Sequence, residues 1–285
     1  MTKVDARKKI KEMLAEDLGA GDVTSDSLFG PKVEAHAEIT AKQGGVLAGV
    51  EEAAMVFREL GVRVEIVSAD GSNISAGGLV MRLSGKAGKI LAGERVALNL
   101  LMRMSGIATA TRELLFRARR KNSDVIIAAT RKTAPLLSYF DKQAVKVAGG
   151  FPHRYSLSDQ VLIKDDHLKL IGSITEAVNR IKRNGVKGKI EVEVNNPEEA
   201  LEAARAGADI VMLDNMTPFE DRRAVKMLER EGLRDKVSLE ASGGIDPSNV
   251  EDYAATGVDV ISSSYMTMRA QAIDMSLEII CRKDN

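Results

Sequence analysis

Six short runs rich in aliphatic and β-branched residues recur through the second half of the chain. They are VIIAA (125–129), VLIK (161–164), KIEVEV (189–194), DIVML (209–213), VSLEA (237–241) and DVISS (259–263). Amphipathic stretches separate most of these runs, and glycine marks the return from helix to strand in AGAD (206–209) and TGVD (256–259). Strands that alternate with helices predict βαβ units and a parallel sheet. Because a complete TIM barrel has about eight such units, we expect an irregular, incomplete parallel α/β barrel.

The first third of the chain has a mixed pattern that predicts an α+β sandwich domain. We expect helices over 3–17, 51–60 and 93–120, and strands over 33–41, 46–50, 62–68 and 79–85. Gly106 marks a possible bend or break in the last helix. Domain boundaries are predicted at 1–106 and 107–269, with the tail 270–285 packing back on the first domain. The segment 130–160 is interpreted as a long functional loop.

The cysteine count favours a cytoplasmic protein, and the charge balance favours no particular class of partner. Lys plus Arg and Asp plus Glu number 41 each, so net charge gives no argument for a nucleic-acid or membrane partner. Cys281 is the single cysteine, which favours a reducing compartment, and we interpret its side chain as a small buried apolar group. The N-terminal stretch lacks the apolar region of a signal peptide.

Polar and charged residues follow the carboxyl end of each β-rich run, which is where active sites of parallel barrels lie. A basic set of Arg131, Lys132, His153, Arg154 and Lys164 suits carboxylates and phosphates. Glu193 and Asp214 suit Mg²⁺, sugar hydroxyls or a developing positive charge. The glycine-rich Ser242, Gly243 and Gly244 are typical of a phosphate cradle. The sequence therefore predicts a shared pocket for an anionic substrate, a phosphorylated sugar and a divalent cation.

Several motifs, in the same order along the chain, resemble the quinolinate phosphoribosyltransferase family. They are EDLGAGDVTS (16–25), ERVALNLLMRMSGIATAT (94–111), TRKTAP (130–135), AVKVAGGFPHRYSLSDQVLIKDDH (144–167), EVEV (191–194), AGADIVMLDNM (206–216), LEASGGI (239–245) and YAATGVDVIS (253–262). Together they cover nearly the whole chain. The resemblance implies an N-terminal sandwich domain and an irregular barrel. It also implies a pentosyltransferase that converts quinolinate and phosphoribosyl pyrophosphate to nicotinate mononucleotide, pyrophosphate and CO₂ in de novo NAD biosynthesis.

The resemblance also implies roles for individual residues. Catalysis falls to Lys132, Lys164, Glu193 and Asp214, and the last two hold Mg²⁺ with the pyrophosphate. The residues implied to bind substrate are Arg95, Thr130, Arg131, Lys132, His153, Arg154 and Lys164, and all of these except Arg95 and Thr130 are candidates for the quinolinate carboxylates. Those implied to bind phosphate are Ser242, Gly243, Gly244, Ser263 and Ser264. Arg95 matches a family arginine that reaches the site of a neighbouring subunit, so a homodimer or larger homo-oligomer is implied.

The chain departs from the family pattern at several positions. Leu136 and Ser138 stand where Gly and Arg are usual, and Pro152 and Asp166 each replace a usual Asn. Near the sixth run, Ser264 replaces Gly and Met268 replaces His. Three alternatives stay open. The first is a molybdenum-transport-associated paralogue that uses another acceptor, the second is a barrel aldolase with Lys164 as its Schiff-base lysine, and the third is a non-catalytic metabolite-binding barrel.

Overall fold

A computed structural model describes residues 3–30 and 32–283, with side chains over 6–30 and 32–280; the side chain of Cys281 therefore lies outside the described residues. The helices are α1 (Lys3–Leu18), α2 (Val23–Leu28), α3 (Val50–Glu59), α4 (Ala87–Arg119), α5 (Ser138–Val147), α6 (Asp165–Ile171), α7 (Ile174–Arg183), α8 (Pro197–Ala206), α9 (Pro218–Arg230), α10 (Val250–Ala254) and α11 (Tyr265–Met268). The strands are β1 (Glu34–Ala41), β2 (Gly45–Val46), β3 (Arg63–Ile66), β4 (Asn73–Ile74), β5 (Leu79–Lys86), β6 (Ile126–Ala128), β7 (Val161–Ile163), β8 (Ile190–Val194), β9 (Ile210–Asp214), β10 (Ser238–Ser242), β11 (Val260–Ser262) and β12 (Met275–Lys283).

These elements divide into two compact units, and the first is assembled from three parts of the chain. The first unit contains Met1–Ala110, Ala134–Ala148 and Arg269–Asn285, and the second contains Thr111–Thr133 and Gly149–Met268. The segment 134–148, which we expected in the second domain, thus belongs to the first unit. No helix within the described ranges is both long enough and apolar enough to cross a membrane.

The first unit is built on an antiparallel sheet with the strand order β12-β1-β5-β3. Along β1, Ala35, Ala37, Ile39 and Ala41 are buried while the residues between them are partly or fully exposed. This alternation buries one face of the strand, as a half-buried strand requires. Strand β12, for which the sequence pattern gave no prediction, pairs with β1 along its whole length.

Two predictions in the first unit were wrong in detail. The strand expected over 46–50 covers only Gly45–Val46, because Gly49 is left-handed (φ 86°) and Val50 already begins α3. The Asp70 carboxylate accepts the N–H of Val50, at the start of this helix, at 2.9 Å. Helix α4 continues through Gly106 without a break. Glycine is needed there for packing, because a Cβ would overlap the carbonyl oxygen of Gln271.

The loop expected over 130–160 contains a helix, α5, that sequence reasoning missed. Its Asp141 is fully buried, and Arg103 of α4 donates to both carboxylate oxygens at 2.7 and 2.8 Å. Asp141 also accepts the backbone N–H of Ala134 at 3.2 Å. This bidentate ion pair holds α5 in the first unit and compensates the buried carboxylate. The helix therefore depends on a tertiary contact that local pattern does not display.

The second unit contains a six-stranded parallel sheet with the order β6-β11-β10-β9-β8-β7, which confirms the predicted incomplete barrel. No ladder joins β6 to β7 within the described residues. Phe151 lies beside β6 instead, donating to Ile127 O at 2.8 Å and accepting from Ala129 N at 2.8 Å. Helices α7, α8 and α9 begin at the capping side chains of Ser173, Asn196 and Thr217.

The strand register places the carboxyl ends of the central strands at one edge. Asp214 pairs with Ser242, and Ser242 pairs with Ser262, on consecutive strands. Ser262 in turn pairs with Ala128 on β6. The polar residues that follow the β-rich runs therefore meet in one place, as expected for a parallel sheet.

Candidate active site

A cavity of about 540 Å³ opens in the second unit where the parallel strands end. Its volume lies within the range of small-molecule sites. The lining residues are Ala129, Thr130, Arg131, Lys132, His153, Arg154, Leu162, Lys164, Asp165, Glu193, Met212, Asp214, Asn215, Glu240, Ser242, Gly243, Gly244 and Ser262. The cavity thus brings together every predicted site residue except Arg95, Ser263 and Ser264.

Arg95 lies in the first unit, on α4, where its exposed guanidinium is 3.7 Å from Glu94. Ser263 points away from the cavity. Its hydroxyl donates to Ile245 O at 2.5 Å and accepts from Tyr265 N at 3.0 Å, while its own N–H donates to Ala128 O. Ser262 lines the cavity instead, and its buried Oγ has no hydrogen-bond partner among the described residues.

The loop after β6 presents the Arg131 and Lys132 side chains to the cavity. Its backbone is held on both sides, because Thr130 Oγ1 accepts from Lys132 N at 3.0 Å and Thr267 Oγ1 donates to Lys132 O at 2.7 Å. Neither Arg131 nor Lys132 forms an ion pair with any residue that the structure describes. The loop therefore offers cations whose charge is not used by the protein itself.

Lys164 follows β7 and begins α6. Its backbone N–H donates to His167 Nδ1 at 3.0 Å, so His167 caps the helix rather than facing the cavity. The ammonium group is 3.1 Å from Glu193 Oε1. Burial raises the pKa of Glu193 and the nearby Asp214 carboxylate adds to this, while Lys164 opposes the increase. The lysine thus partly offsets the cost of placing a carboxylate in a partly buried position.

His153 and Arg154 are almost completely buried at the inner end of the cavity. Burial and the neighbouring Arg131 cation both lower the pKa of Arg154. Burial alone would lower the pKa of His153, but its contacts with Glu191 and Glu240 outweigh that effect and raise it to about 9. The Arg154 N–H, however, donates to His153 Nδ1 at 2.9 Å and opposes a proton there. We therefore assign the raised proton affinity to the His153, Glu191 and Glu240 cluster as a whole.

The edge formed by β9 and β10 is fixed by hydrogen bonds. Asn215, left-handed at φ 54°, donates its N–H to Ser242 O at 2.8 Å and its side-chain amide to Asp214 Oδ2 at 2.9 Å. Gly243 packs directly on Asn215, since a Cβ at Gly243 would lie 2.8 Å from Asn215 N and overlap Asn215 Oδ1. Exposed N–H groups of such a glycine turn form a concave surface that suits an anion.

Glu191 and Glu240 are charged residues of the site to which we assigned no role from sequence. Both are buried, at 0% and 2% exposure. The motif EVEV did carry a signal for Glu191. Residues two apart on a strand share a face, so Glu191 lies on the same face as Glu193, which was expected in the pocket. The same rule distinguishes Ser262 from Ser263, since neighbouring residues of a strand point in opposite directions.

Comparison with known proteins decides which family this site belongs to. The family model described as quinolinate phosphoribosyl transferase, C-terminal domain, matches residues 107–278, and the corresponding N-terminal domain model matches residues 22–105. The chain belongs to the quinolinate phosphoribosyltransferase family. Together the two models match most of both units.

Similar relatives are named for the same activity. A probable nicotinate-nucleotide pyrophosphorylase [carboxylating] of Methanothermobacter thermautotrophicus is 48% identical over 271 residues, which cover 95% of this chain and 97% of that protein. The nicotinate-nucleotide pyrophosphorylase [carboxylating] of Rattus norvegicus is 38% identical over 90% of this chain and 86% of its own. The solved structure of the nicotinate-nucleotide pyrophosphorylase from Francisella tularensis has a TM-score of 0.90 at 33% identity, covering 98% of this chain and 97% of that one. This quinolinate phosphoribosyltransferase family member therefore shares both sequence and fold with these proteins.

Proposed function

We propose that this protein is a carboxylating nicotinate-nucleotide pyrophosphorylase. It transfers the phosphoribosyl group of phosphoribosyl pyrophosphate to quinolinate and releases pyrophosphate and CO₂, giving nicotinate mononucleotide for NAD biosynthesis. One observation carries the proposal: a single cavity joins Arg131 and Lys132, which form no ion pair with any described residue, to the carboxylates Glu193 and Asp214 and to the glycine turn at Gly243. Those features match a dicarboxylate acceptor, a ribosyl centre and a phosphate.

Quinolinate carries two adjacent carboxylates and needs several cations in a limited space. Arg131, Lys132, Arg154 and Lys164 supply them around the cavity, with Thr130 fixing the loop that bears Lys132. Charge-assisted hydrogen bonds of this kind are strong and orient a planar anion. On binding, Lys164 exchanges its contact with Glu193 for a substrate carboxylate. This exchange leaves Glu193 free to face the ribose.

Glu193 and Asp214 act at the ribosyl centre. Loss of pyrophosphate develops positive charge on the ribose, and preorganised carboxylates stabilise that charge. The two carboxylates, on adjacent strands, also provide the hard oxygen donors that Mg²⁺ prefers. These residues would hold the ion together with the pyrophosphate, and the bound ion supplies neutralising charge for the leaving group. Lys132, in the same cavity, faces the reacting groups.

The 5′-phosphate of the sugar binds at Ser242, Gly243 and Gly244. Here the turn is held open by Asn215, and the buried Ser262 hydroxyl lies on the adjacent strand. Ring decarboxylation follows ring-nitrogen attack, because the positively charged pyridinium nitrogen stabilises the electron pair that stays on the adjacent ring carbon when CO₂ leaves. A proton from solvent then takes the place of the lost carboxylate. The protein's own contribution is to orient the ring and to exclude competing geometries.

We further propose a cytoplasmic homodimer or larger homo-oligomer in which Arg95 contributes to the site of a neighbouring subunit. Arg95 is exposed and its nearest acidic partner, Glu94, is 3.7 Å away, which leaves the guanidinium available to another subunit. Mixing an Arg95→Ala chain with a separately inactive Asp214→Asn chain tests this arrangement. Recovery of activity in the mixed oligomer is expected, and no recovery contradicts the shared site.

The activity is tested with purified protein, quinolinate, phosphoribosyl pyrophosphate and Mg²⁺. Equal amounts of nicotinate mononucleotide, pyrophosphate and CO₂ are expected, followed by absorbance and by trapping of released CO₂. Turnover with nicotinate or another base but not with quinolinate would instead favour a paralogue that uses a different acceptor. Binding of both ligands without turnover would favour a metabolite-binding barrel.

A further inference from the structure

His153 contacts two buried carboxylates beneath the cavity. Its Nε2 atom is 3.5 Å from Glu240 Oε2 and 3.7 Å from Glu191 Oε2. The side chains of the three residues are between 0% and 8% exposed. Gln160 Nε2 donates to Glu191 Oε2 at 2.9 Å from the other side. We call His153, Glu191 and Glu240 the buried triad.

The carboxylates of the buried triad are incompletely satisfied by the protein. Glu191 Oε1 and Glu240 Oε1 are buried and have no hydrogen-bond partner among the described residues. An ionised carboxylate in such surroundings is costly unless a cation or proton compensates it. Of the two carboxylates, only Glu240 lines the cavity. The buried triad therefore places two carboxylates, whose burial costs free energy of folding, next to the cavity.

The hydrogen bond that the His153 ring accepts fixes which ring nitrogen carries a proton. Arg154 N donates to Nδ1 at 2.9 Å, so Nδ1 acts as the acceptor and Nε2 carries the proton that faces the two carboxylates. The backbone of His153 is left-handed at φ 53°, a conformation that a residue with a side chain rarely adopts. The ring thus ties this unusual backbone turn to Glu191 and Glu240.

A metal ion is the other occupant that such ligands could take, since the three ligand atoms lie within 4.8 Å of one another. A metal bound at Nε2 would move the proton to Nδ1. The Arg154 N–H already points at Nδ1, so the two hydrogens would collide. The geometry therefore favours a shared proton over a metal.

We propose that Glu191 and Glu240 are positioning residues that act through His153 to orient Arg154 in the carboxylate pocket. The chain of contacts runs from the two carboxylates to Nε2, through the ring to Nδ1, and from Nδ1 to the backbone N–H of Arg154. The Arg154 guanidinium lines the cavity and donates to Gln160 O at 3.4 Å. His153 itself uses both ring nitrogens within the protein. This proposal rests on the proposed function only in taking quinolinate as the dicarboxylate that Arg154 binds.

The first test is an imidazole ¹⁵N NMR spectrum of the ligand-free protein, which has only three histidines to assign, His36, His153 and His167. The His153 signals are identified by their loss in His153→Gln. A proton on Nε2 between pH 6 and 8 is expected. An unprotonated Nε2, or a shift of the His153 signals on adding Zn²⁺ alone, overturns the proposal in favour of a metal site.

The second test compares Glu240→Gln and Glu191→Gln with Asp221→Asn. Asp221 is an equally buried carboxylate of the second unit that does not line the cavity, so it controls for loss of buried charge. Each glutamine variant should raise KM for quinolinate on the order of tenfold, equivalent to roughly one lost hydrogen bond. KM for phosphoribosyl pyrophosphate should stay within about twofold. Equal changes in both constants, or the same change in Asp221→Asn, contradict the positioning role.

A third measurement separates this proposal from the proposed function. Glu240→Gln should shift the backbone amide resonance of Arg154 in the ligand-free protein, whereas Asp221→Asn should leave it in place. If wild-type protein shows no quinolinate turnover, the function fails but the amide shift still reports on the triad. An unmoved Arg154 amide in both glutamine variants overturns the positioning role whatever the substrate.

Discussion

The two sides of the cavity are held in place by the protein in different ways. On the β9–β10 side, Asn215 and Gly243 are fixed by backbone hydrogen bonds and close packing. On the β6 side, Arg131 and Lys132 have a fixed backbone, but no described residue neutralises their side chains. We propose that one side recognises its ligand by the shape of a rigid turn, and the other by charge that the protein leaves uncompensated. Substitutions should therefore act through geometry on the first side and through charge on the second.

Gly243→Ala should have the largest effect on activity, because it changes the tightly packed turn on the β9–β10 side. The new Cβ would overlap the Asn215 side chain, and the backbone at φ 99° disfavours any residue with a side chain. We expect kcat/KM to fall on the order of 100-fold, since small displacements in an oriented site are costly. Steady-state kinetics with each substrate varied measures it. A loss confined to quinolinate binding would contradict the assignment of this turn to phosphate.

Arg131→Ala should have the next largest effect, on the charged side. Removing one charge-assisted contact costs about 1.5–3 kcal/mol. Quinolinate affinity should therefore fall roughly ten- to hundredfold, measured by calorimetry. Arg131→Lys should recover only part of the loss, because lysine lacks the bidentate guanidinium. Arg230→Ala, at an exposed position of α9, changes the net charge by the same amount and should leave the affinity for quinolinate unchanged. Equal losses in both alanine variants would remove Arg131 from the pocket.

Asp221 lies on neither side of the cavity, so its substitution shows how burial alone affects a carboxylate. Burial raises its pKa from 3.8 to about 7, and neither oxygen has a hydrogen-bond partner among the described residues. Because the folded state holds the proton more tightly, the carboxyl destabilises the fold increasingly between pH 4 and 7 and by a constant amount above that range. Asp221→Asn should thus stabilise the protein at pH 8 by up to about 4 kcal/mol. The gain should vanish at pH 4 in urea unfolding, and a gain independent of pH would contradict the assignment.

Leu136→Gly should have the smallest effect. Leu136 is 81% exposed and left-handed at φ 65°. Relief of the strained backbone should slightly exceed the entropic cost of glycine, for a net gain of about 0.5 kcal/mol. Leu170→Gly, at an equally exposed leucine in helix α6, should lose stability instead. A loss in both variants, measured by urea unfolding, would show that the left-handed turn stores no strain.

The sequence predicted which residues meet in one cavity better than it predicted the elements of the first unit. Lys164, Glu193 and Asp214 all line the cavity, because residues at the ends of parallel strands meet by topology alone. Ser263 was predicted to bind phosphate, but its hydroxyl and N–H are used within the protein, and Ser262 on the opposite face lines the cavity. That distinction depends on register, which composition does not specify.

Helix α5 was missed for a different reason. Its stability depends on the ion pair between Arg103 and Asp141, whose partners are 38 residues apart. Likewise the buried triad joins His153 to carboxylates on β8 and β10, and only the folded sheet brings them together. Local periodicity reports neither contact, because both depend on long-range packing.

The sheet of the first unit also constrains how the chain can be made. Its strand β1 lies between β5 and β12, and the hydroxyls of Thr40 and Ser276 approach to 3.4 Å although 236 residues separate them. A ribosome synthesises every strand of the second unit before it synthesises β12. During that interval β1 is an open edge, able to pair with the wrong strand or with another nascent chain. Cotranslational folding should therefore complete the later unit first, and a chaperone that shields β1 would improve the yield of folded protein.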